Sequence, residues 1–170
     1  ITDAGTERLG YEEQCAEATA SATLRRRIAE RVGVGLTLRE ELYDGEFSPL
    51  IPALFLDGEL IRGGALLVKG SLSRNYRFPT LNDRYFLPGG NPDLKNESGW
   101  SYDAGVSFSA GKEGVFTISG SATWFDSYIH DWIIWLPTTK GFFSPKNIKD
   151  VHAYGVEIDG KLDWIFAREW

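Results

Sequence analysis

A chain of 170 residues with net charge −6 is long enough to bury the core of one domain, and its field repels phosphate, which argues against a nucleic-acid partner. Cys15 stands alone, so neither an internal disulfide nor a cysteine-based metal cage is available. No apolar run approaches the roughly 18 residues of a membrane-spanning helix; a β-barrel, which crosses with strands of about 9–11 residues, is untouched by that test.

The chain opens Ile1-Thr2-Asp3 without a charged-then-apolar leader, and it reads as a fragment or processed product. Period two then dominates. Ala16, Ala18, Ala20, Ala22 and Leu24 alternate with Glu17, Thr19, Ser21 and Thr23. Arg25-Arg26-Arg27 reads as the solvated turn that follows, within a connection over 26–31. Leu24, Ile28 and Val32 have helical spacing, but the glycine-rich alternation that resumes at once favours the turn. Val32, Val34, Leu36 and Leu38 alternate with Gly33, Gly35 and Thr37. The stretch Phe47 to Leu56 is apolar at both parities and carries Pro49 and Pro52, so it makes only a weak strand.

Further on, four windows repeat the pattern. Leu66, Val68, Gly70 and Leu72 form the first, and Tyr102, Ala104, Val106 and Phe108 the second. Phe116, Ile118, Gly120, Ala122 and Trp124 form the third, and Tyr154, Val156, Ile158, Leu162 and Trp164 the fourth. The connections alternate in kind: 26–31, 57–64 and 110–114 are modest turns, whereas 78–97 and 136–150 read as long, aromatic-rich loops. Segment 43–46 is a short turn where a long loop was available. Short turns at one end and long loops at the other are the habit of outer-membrane barrels. The expected fold is therefore all-β: an antiparallel, up-and-down transmembrane β-barrel segment of about seven strands from a larger barrel.

A soluble sandwich alternates too, but buries its apolar rows in a core. Three features favour lipid instead. Thr117, Ser119, Ser121 and Thr123 make a small, hydroxyl-rich polar face, suited to a wall beside water or a plug. The apolar windows hold no charge, where one Arg or Lys at mid-bilayer costs about 2–4 kcal/mol. Trp124, Tyr128, Trp132 and Trp135 gather toward one strand end, as an interfacial girdle does. A soluble all-β ligand-binding domain remains the alternative.

Catalytic chemistry finds no support. Gly105 to Lys112 has the glycines and lysine of a phosphate loop at the wrong spacing, with Glu113 where Ser or Thr belongs. His130-Asp131 and Asp150-His152 flank one connection; these are metal-ligand types, yet His beside Asp at such a place is more often a hydrogen-bonded loop base. No nucleophile, base and orienting acid cluster together. The expectation is a non-enzyme with no catalytic residues, no resident metal and no cofactor.

Gly70-Ser-Leu-Ser-Arg-Asn-Tyr-Arg-Phe-Pro-Thr-Leu-Asn-Asp-Arg-Tyr85, then Gly90-Asn-Pro-Asp-Leu-Lys-Asn-Glu97, resembles the barrel signature of TonB-dependent outer-membrane receptors. Trp100-Ser-Tyr-Asp-Ala-Gly105, Trp124-Phe125-Asp126, Ile129 to Ile133, Asn147 and Tyr154-Gly-Val-Glu157 follow in that family's order. Asn96 departs from the family's usual proline. Asn82 to Asn91, Trp132 to Trp135 and Phe143-Ser-Pro-Lys-Asn147 are most similar to vitamin B12 (cobalamin) receptors of the Bacteroides type. The resemblance implies that 1–170 is one partial barrel domain in a bacterial outer membrane, with the plug and the remaining strands of a twenty-two-strand family barrel lying elsewhere.

The same resemblance implies active uptake of a large scarce nutrient, with cobalamin as the expected cargo and iron-siderophore or haem as the family alternatives. It implies partners: outer-membrane lipid, the TonB complex acting through the plug, a surface lipoprotein, and the small-molecule ligand. Arg77, Pro79, Asn91, Pro92, Leu94, Glu97, Gly155 and Glu157 carry the motif and read as structural; Arg77 and Glu97 are expected to pair across the loop base. Ligand-facing candidates are Tyr85, Phe86 and Asn91 on one loop and Trp135, Phe142 and Phe143 on the other, flat aromatics being suited to a macrocycle.

Overall fold

The computed structural model describes residues 13–61, 63, 65–112 and 115–164. Eight strands form one antiparallel sheet. They are β1 (Glu17–Ala29), β2 (Val32–Tyr43), β3 (Glu46–Phe47), β4 (Ile51–Ile61), β5 (Leu66–Arg77), β6 (Glu97–Lys112), β7 (Phe116–Pro137) and β8 (Phe143–Trp164), with one short helix, α1 (Leu81–Tyr85). The order is β1-β2-β4-β5-β6-β7-β8, and β3 pairs only with β2. Each long strand thus lies beside its neighbours in the chain, the up-and-down arrangement the alternation predicts.

The register joins the apolar positions of every strand onto one face, because even residues pair with even ones. Leu24 lies opposite Leu36, Leu36 opposite Leu54, Leu54 opposite Leu72 and Leu72 opposite Tyr102. Val106 then meets Ala122, and Ala122 meets Ile158. The opposite face is laced with short polar bonds. The Asn75 amide donates to Ser101 Oγ at 2.6 Å, Ser101 and Ser127 hydroxyls lie 2.9 Å apart, and Ser71 donates to Asp103. Cross-strand hydroxyl and amide pairs of this kind fix register on a wet face.

On β2, β6 and β7 the polar face is half-buried and the apolar face exposed, as on the inside and outside of a curved wall. Val106 on a central strand keeps 39% of its surface open, and Phe108 44%. Among the described residues no second layer covers these rows, so they are not the core of a sandwich. β7 and β8 each have 22 residues, or about 70 Å at about 3.3 Å per residue. Tilted by roughly 40°, such a strand rises about 50 Å, well beyond the roughly 25 Å of a barrel's apolar band. The hairpin is therefore longer than such a band requires.

Several expectations need correction. Arg25, Arg26 and Arg27 lie within β1 and not in a turn: they pair with Gly35, Val34 and Gly33, and the reversal falls at 30–31. Gly35 leaves room for the Arg25 side chain and Gly33 for the Asp57 carboxylate, whereas Arg26 pairs with Val34 on the face of the apolar rows. Segment 136–150 is no long loop, since β7 and β8 pair from Trp132–Ile148 to Pro137–Phe143 and only 138–142 turn. Its apolar residues at both parities concealed a strand whose two faces are both used. The weak strand at Phe47–Leu56 begins at Ile51 and runs to Ile61, absorbing much of the turn expected over 57–64. Pro52 is tolerated because pairing with β5 starts only at Ala53. The turn at 43–46 is present, built on Asp44 (φ 49°) and Gly45 (φ 85°), the Asp-Gly chemistry of a tight hairpin.

Candidate functional site

The segment from Phe78 to Asn96 and the upper β7–β8 hairpin form one packed unit at the end of the sheet opposite the β1–β2 reversal, the end that also carries the 43–46 turn. Its centre is the start of α1. Thr80 caps the helix: its hydroxyl accepts from the Asp83 N–H at 3.1 Å, while the Thr80 N–H donates back to the Asp83 carboxylate at 3.0 Å. This reciprocal box lets a five-residue helix form where propensity alone would not.

Asp83 does more than cap. It is 5% exposed, and both carboxylate oxygens are in use. Oδ2 accepts from Arg77 Nη2 and Thr80 Oγ1, each at 2.9 Å, and Oδ1 accepts from the Trp135 indole Nε1 at 3.0 Å. The second arm of Arg77 reaches Glu97 Oε1 at 2.9 Å, and that oxygen also accepts the Ile133 N–H at 2.7 Å. One guanidinium therefore bridges two carboxylates, in the forked geometry that suits arginine and not lysine. The expected Arg77–Glu97 pair is present, with Asp83 as an additional partner.

Two asparagines stitch the rest of the segment to β8. Asn91 Nδ2 donates to the Pro145 carbonyl at 3.1 Å, and Asn91 Oδ1 accepts the Asp93 N–H. Asn147 accepts the Lys95 N–H at 2.9 Å and donates to the carbonyls of Lys95 and Asp131 at 3.0 and 2.6 Å. Gly89 lies against the Phe143 carbonyl so closely that any side chain would overlap it. Pro79 and Pro145 are fully buried, as nearly are Phe78, Leu94 and Ile133. Beside the seam, Tyr43 stacks on Phe78 at 5.2 Å and helps line a cleft of about 290 Å³ with Glu17, Glu41 and Arg77. Burial first, then the neighbouring Cys15 and Glu17, pushes the Tyr43 phenol up to about 12.

The six ligand-facing candidates divide. Trp135, Phe86 and Asn91 lie in the seam: the Trp135 and Phe86 rings meet edge to face at 5.9 Å, and the polar atoms of both Trp135 and Asn91 are engaged as described. Phe142 is half-buried, its carbonyl closing the hairpin turn by accepting the Thr138 N–H at 2.8 Å. Tyr85 and Phe143 face outward, Phe143 with 58% of its surface open. The structural candidates also divide. Pro79 and Leu94 are buried, Pro92 is exposed, and Gly155 makes space for the Phe125 ring, while Glu157 stands exposed opposite Thr123.

His130 and His152 sit on the apolar face among its aromatic rows, His152 opposite Tyr128 and His130 edge-on to the Tyr128 ring. His130 Nδ1 lies 2.5 Å from Asp150, and His152 Nε2 lies 3.1 Å from Asp126. Each imidazole has its own carboxylate, and among the described residues no three such groups converge as a metal would need. Sequence reasoning passed over Asp83 and the reach of Asn147. The spacing of Thr80 and Asp83 ahead of a short apolar run was a usable signal for the first; nothing local announces the second.

Comparison with known proteins agrees with this geometry. The profile of the family described as "TonB dependent receptor-like, beta-barrel" matches residues 43–168. A "Vitamin B12 transporter BtuB" from Vibrio vulnificus is 28% identical over 106 residues, which is 59% of this chain and 16% of that protein. Its counterpart from Photobacterium profundum is 29% identical over 97 residues, 55% of this chain and 15% of the other. Two solved receptors share the fold. The Serratia marcescens hemophore receptor HasR, a double mutant in complex with its hemophore HasA and heme, superposes with a TM-score of 0.72 at 13% identity, over 88% of this chain and 32% of that one. The siderophore receptor PirA from Acinetobacter baumannii gives 0.68 at 18% identity, over 92% and 27%. The chain spans about a sixth of the length of the curated relatives it matches.

Proposed function

The chain belongs to the TonB-dependent receptor β-barrel family, and we propose that it forms part of the wall and extracellular mouth of a bacterial outer-membrane transporter for cobalamin. The observation that carries this reading is the largely apolar face that register draws across seven strands, broken by Arg26 on β1 and Asp126 on β7, exposed on one side and backed by a hydrogen-bonded polar face on the other. Such a surface is stable only against hydrocarbon. In this reading Trp100, Tyr102, Trp124, Tyr128 and Tyr154 make the upper aromatic girdle. The packed segment and hairpin above them face the outside, and uptake is driven by the TonB complex through a plug domain. A surface lipoprotein is a further proposed partner at this mouth.

Cobalamin is favoured over other cargo because both curated relatives carry that name and because Asn82 to Asn91 resembles the cobalamin-receptor pattern. Haem or a ferric siderophore is the second reading, supported by the two receptors of like fold. Tyr85, Phe142 and Phe143 are the aromatic surface offered to either. Binding of cyanocobalamin, haem and a ferric siderophore to the complete purified receptor separates the cargoes. Replacing both Trp135 and Phe143 by alanine should weaken capture of the true one. Haem or siderophore binding without cobalamin removes the substrate assignment, and a receptor that partitions into the aqueous phase removes the transporter.

A further inference from the structure

We infer that the segment between β5 and β6 is a fixed wall of the extracellular mouth and not a closing lid, with Asp83 as the positioning residue that aims its tip. The inference rests on the reading that this end of the barrel meets ligand. A lid has to part from the surface it closes on, and moving segments are drawn from weakly held regions with few buried contacts and many solvent-exposed backbone hydrogen bonds. This segment is instead anchored at its start, its middle and its end.

At its start, the Asp83 carboxylate ties together the end of β5 through Arg77, the helix cap through Thr80 and β7 through Trp135. Arg77 carries the tie on to Glu97 at the foot of β6. Asp83 is almost wholly enclosed. Swinging α1 outward would leave that carboxylate without its indole partner and strand the Trp135 N–H, a cost that falls on both sides of the opening. In the middle, Gly89 lies backbone to backbone against Phe143. At its end, the side chain of Asn147 imitates a strand, accepting the Lys95 N–H and donating to the Lys95 carbonyl. Pro79, Leu94, Ile133 and Pro145 keep the seam dry. What remains for a ligand is the exposed tip at Tyr85, Leu87 and Pro88, held at a set height by the cap beneath it.

Amide hydrogen exchange on the complete receptor tests this. In ligand-free protein the N–H groups of Arg84, Phe86 and Asn91, bonded to the carbonyls of Thr80, Asn82 and Asp83, should exchange slowly, and adding cyanocobalamin should leave their rates unchanged. Trp135→Phe keeps an aromatic ring beside Phe86 but removes the indole donor and part of the ring volume that packs near Gly89. It should speed exchange at those amides by at least about tenfold, the factor for 1.4 kcal/mol, while amides of the β7–β8 ladder around Trp124 keep their rates. Cobalamin should also leave the variant several times faster with its association rate unchanged. Free-peptide exchange in the ligand-free receptor, protection that appears only with ligand, or an unaltered Trp135→Phe pattern would each overturn the inference. The ligand-free arm reads docking whatever the cargo, so a receptor that ignores cobalamin defeats the substrate assignment alone.

Discussion

Gly89→Ala is the sharpest perturbation of the docked segment. A Cβ built there lies 3.1 Å from the Phe143 carbonyl carbon and 3.4 Å from Trp135 Cζ3, and it overlaps the Phe143 oxygen outright. Phe143 is held by its pairing with Pro137, so the 78–96 segment has to retreat. Overpacking of this kind costs about 1–3 kcal/mol. A retreat of about 1 Å also breaks the 3.1 Å bond from Asn91 to the Pro145 carbonyl, worth about 1 kcal/mol. Together they come to about 2–4 kcal/mol, which raises the undocked population by roughly thirtyfold to several hundredfold. Limited trypsin digestion of the complete receptor reads this as faster cleavage at Arg84 and Lys95. Gly141→Ala is the control: nothing lies within 4 Å of its Cβ, although φ is +86°, so its strain of about 1–2 kcal/mol stays at the hairpin tip. Equal protease resistance of Gly89→Ala and the native receptor would show that the seam is not the close contact described.

Other consequences are as direct. Val106→Arg, in the middle of the outward face, should cost about 2–4 kcal/mol of folding into lipid vesicles, whereas Ser107→Arg on the opposite face should cost less; heat-modifiable gel mobility distinguishes them. Asp150→Asn should change stability by less than about 1 kcal/mol, because both partners of the His130–Asp150 pair are about half exposed and such pairs are weak; a large loss of thermal stability would contradict this. Tyr43, with its phenol raised to about 12 in the folded chain against 10.0 otherwise, contributes stability that is complete below the lower value and is lost as pH climbs through the window between them. Tyr43→Phe should abolish that alkaline loss in melts taken across the same range.

The strands were legible because a wall with lipid on one side and a wet interior on the other forces period two on every stretch between, and that pattern survives without any knowledge of the partner strand. Legibility failed where both faces of a strand are occupied. Ile133 and Trp135 lie against the docked segment while Trp132, Ile134 and Leu136 point outward, so the alternation vanished and a hairpin passed for a loop. Arg25 to Arg27 failed for the converse reason: a ladder can carry charge, here with glycines opposite Arg25 and Arg27 and a valine opposite Arg26, and only the register reveals which residues those are. The mouth was harder still. Its aromatic residues could be named, but whether an aromatic meets a ligand or a neighbour depends on contacts made across 52 residues of chain, as between Asp83 and Trp135.

Trp135 is one of the six ligand-facing candidates, yet its indole N–H points at a buried acid and its ring meets Phe86 edge to face. Losing it in a double alanine variant would therefore weaken capture by two routes, removal of surface at Phe143 and collapse of the support under Tyr85. Single variants separate these routes. Phe143→Ala should lower ligand affinity and leave the exchange rates of Arg84 and Phe86 amides as they are. Trp135→Phe should change those rates first and affinity only in consequence. If Trp135→Phe lowers affinity as much as Phe143→Ala while the amides stay protected, Trp135 touches the ligand after all, and the seam opens when the receptor is loaded.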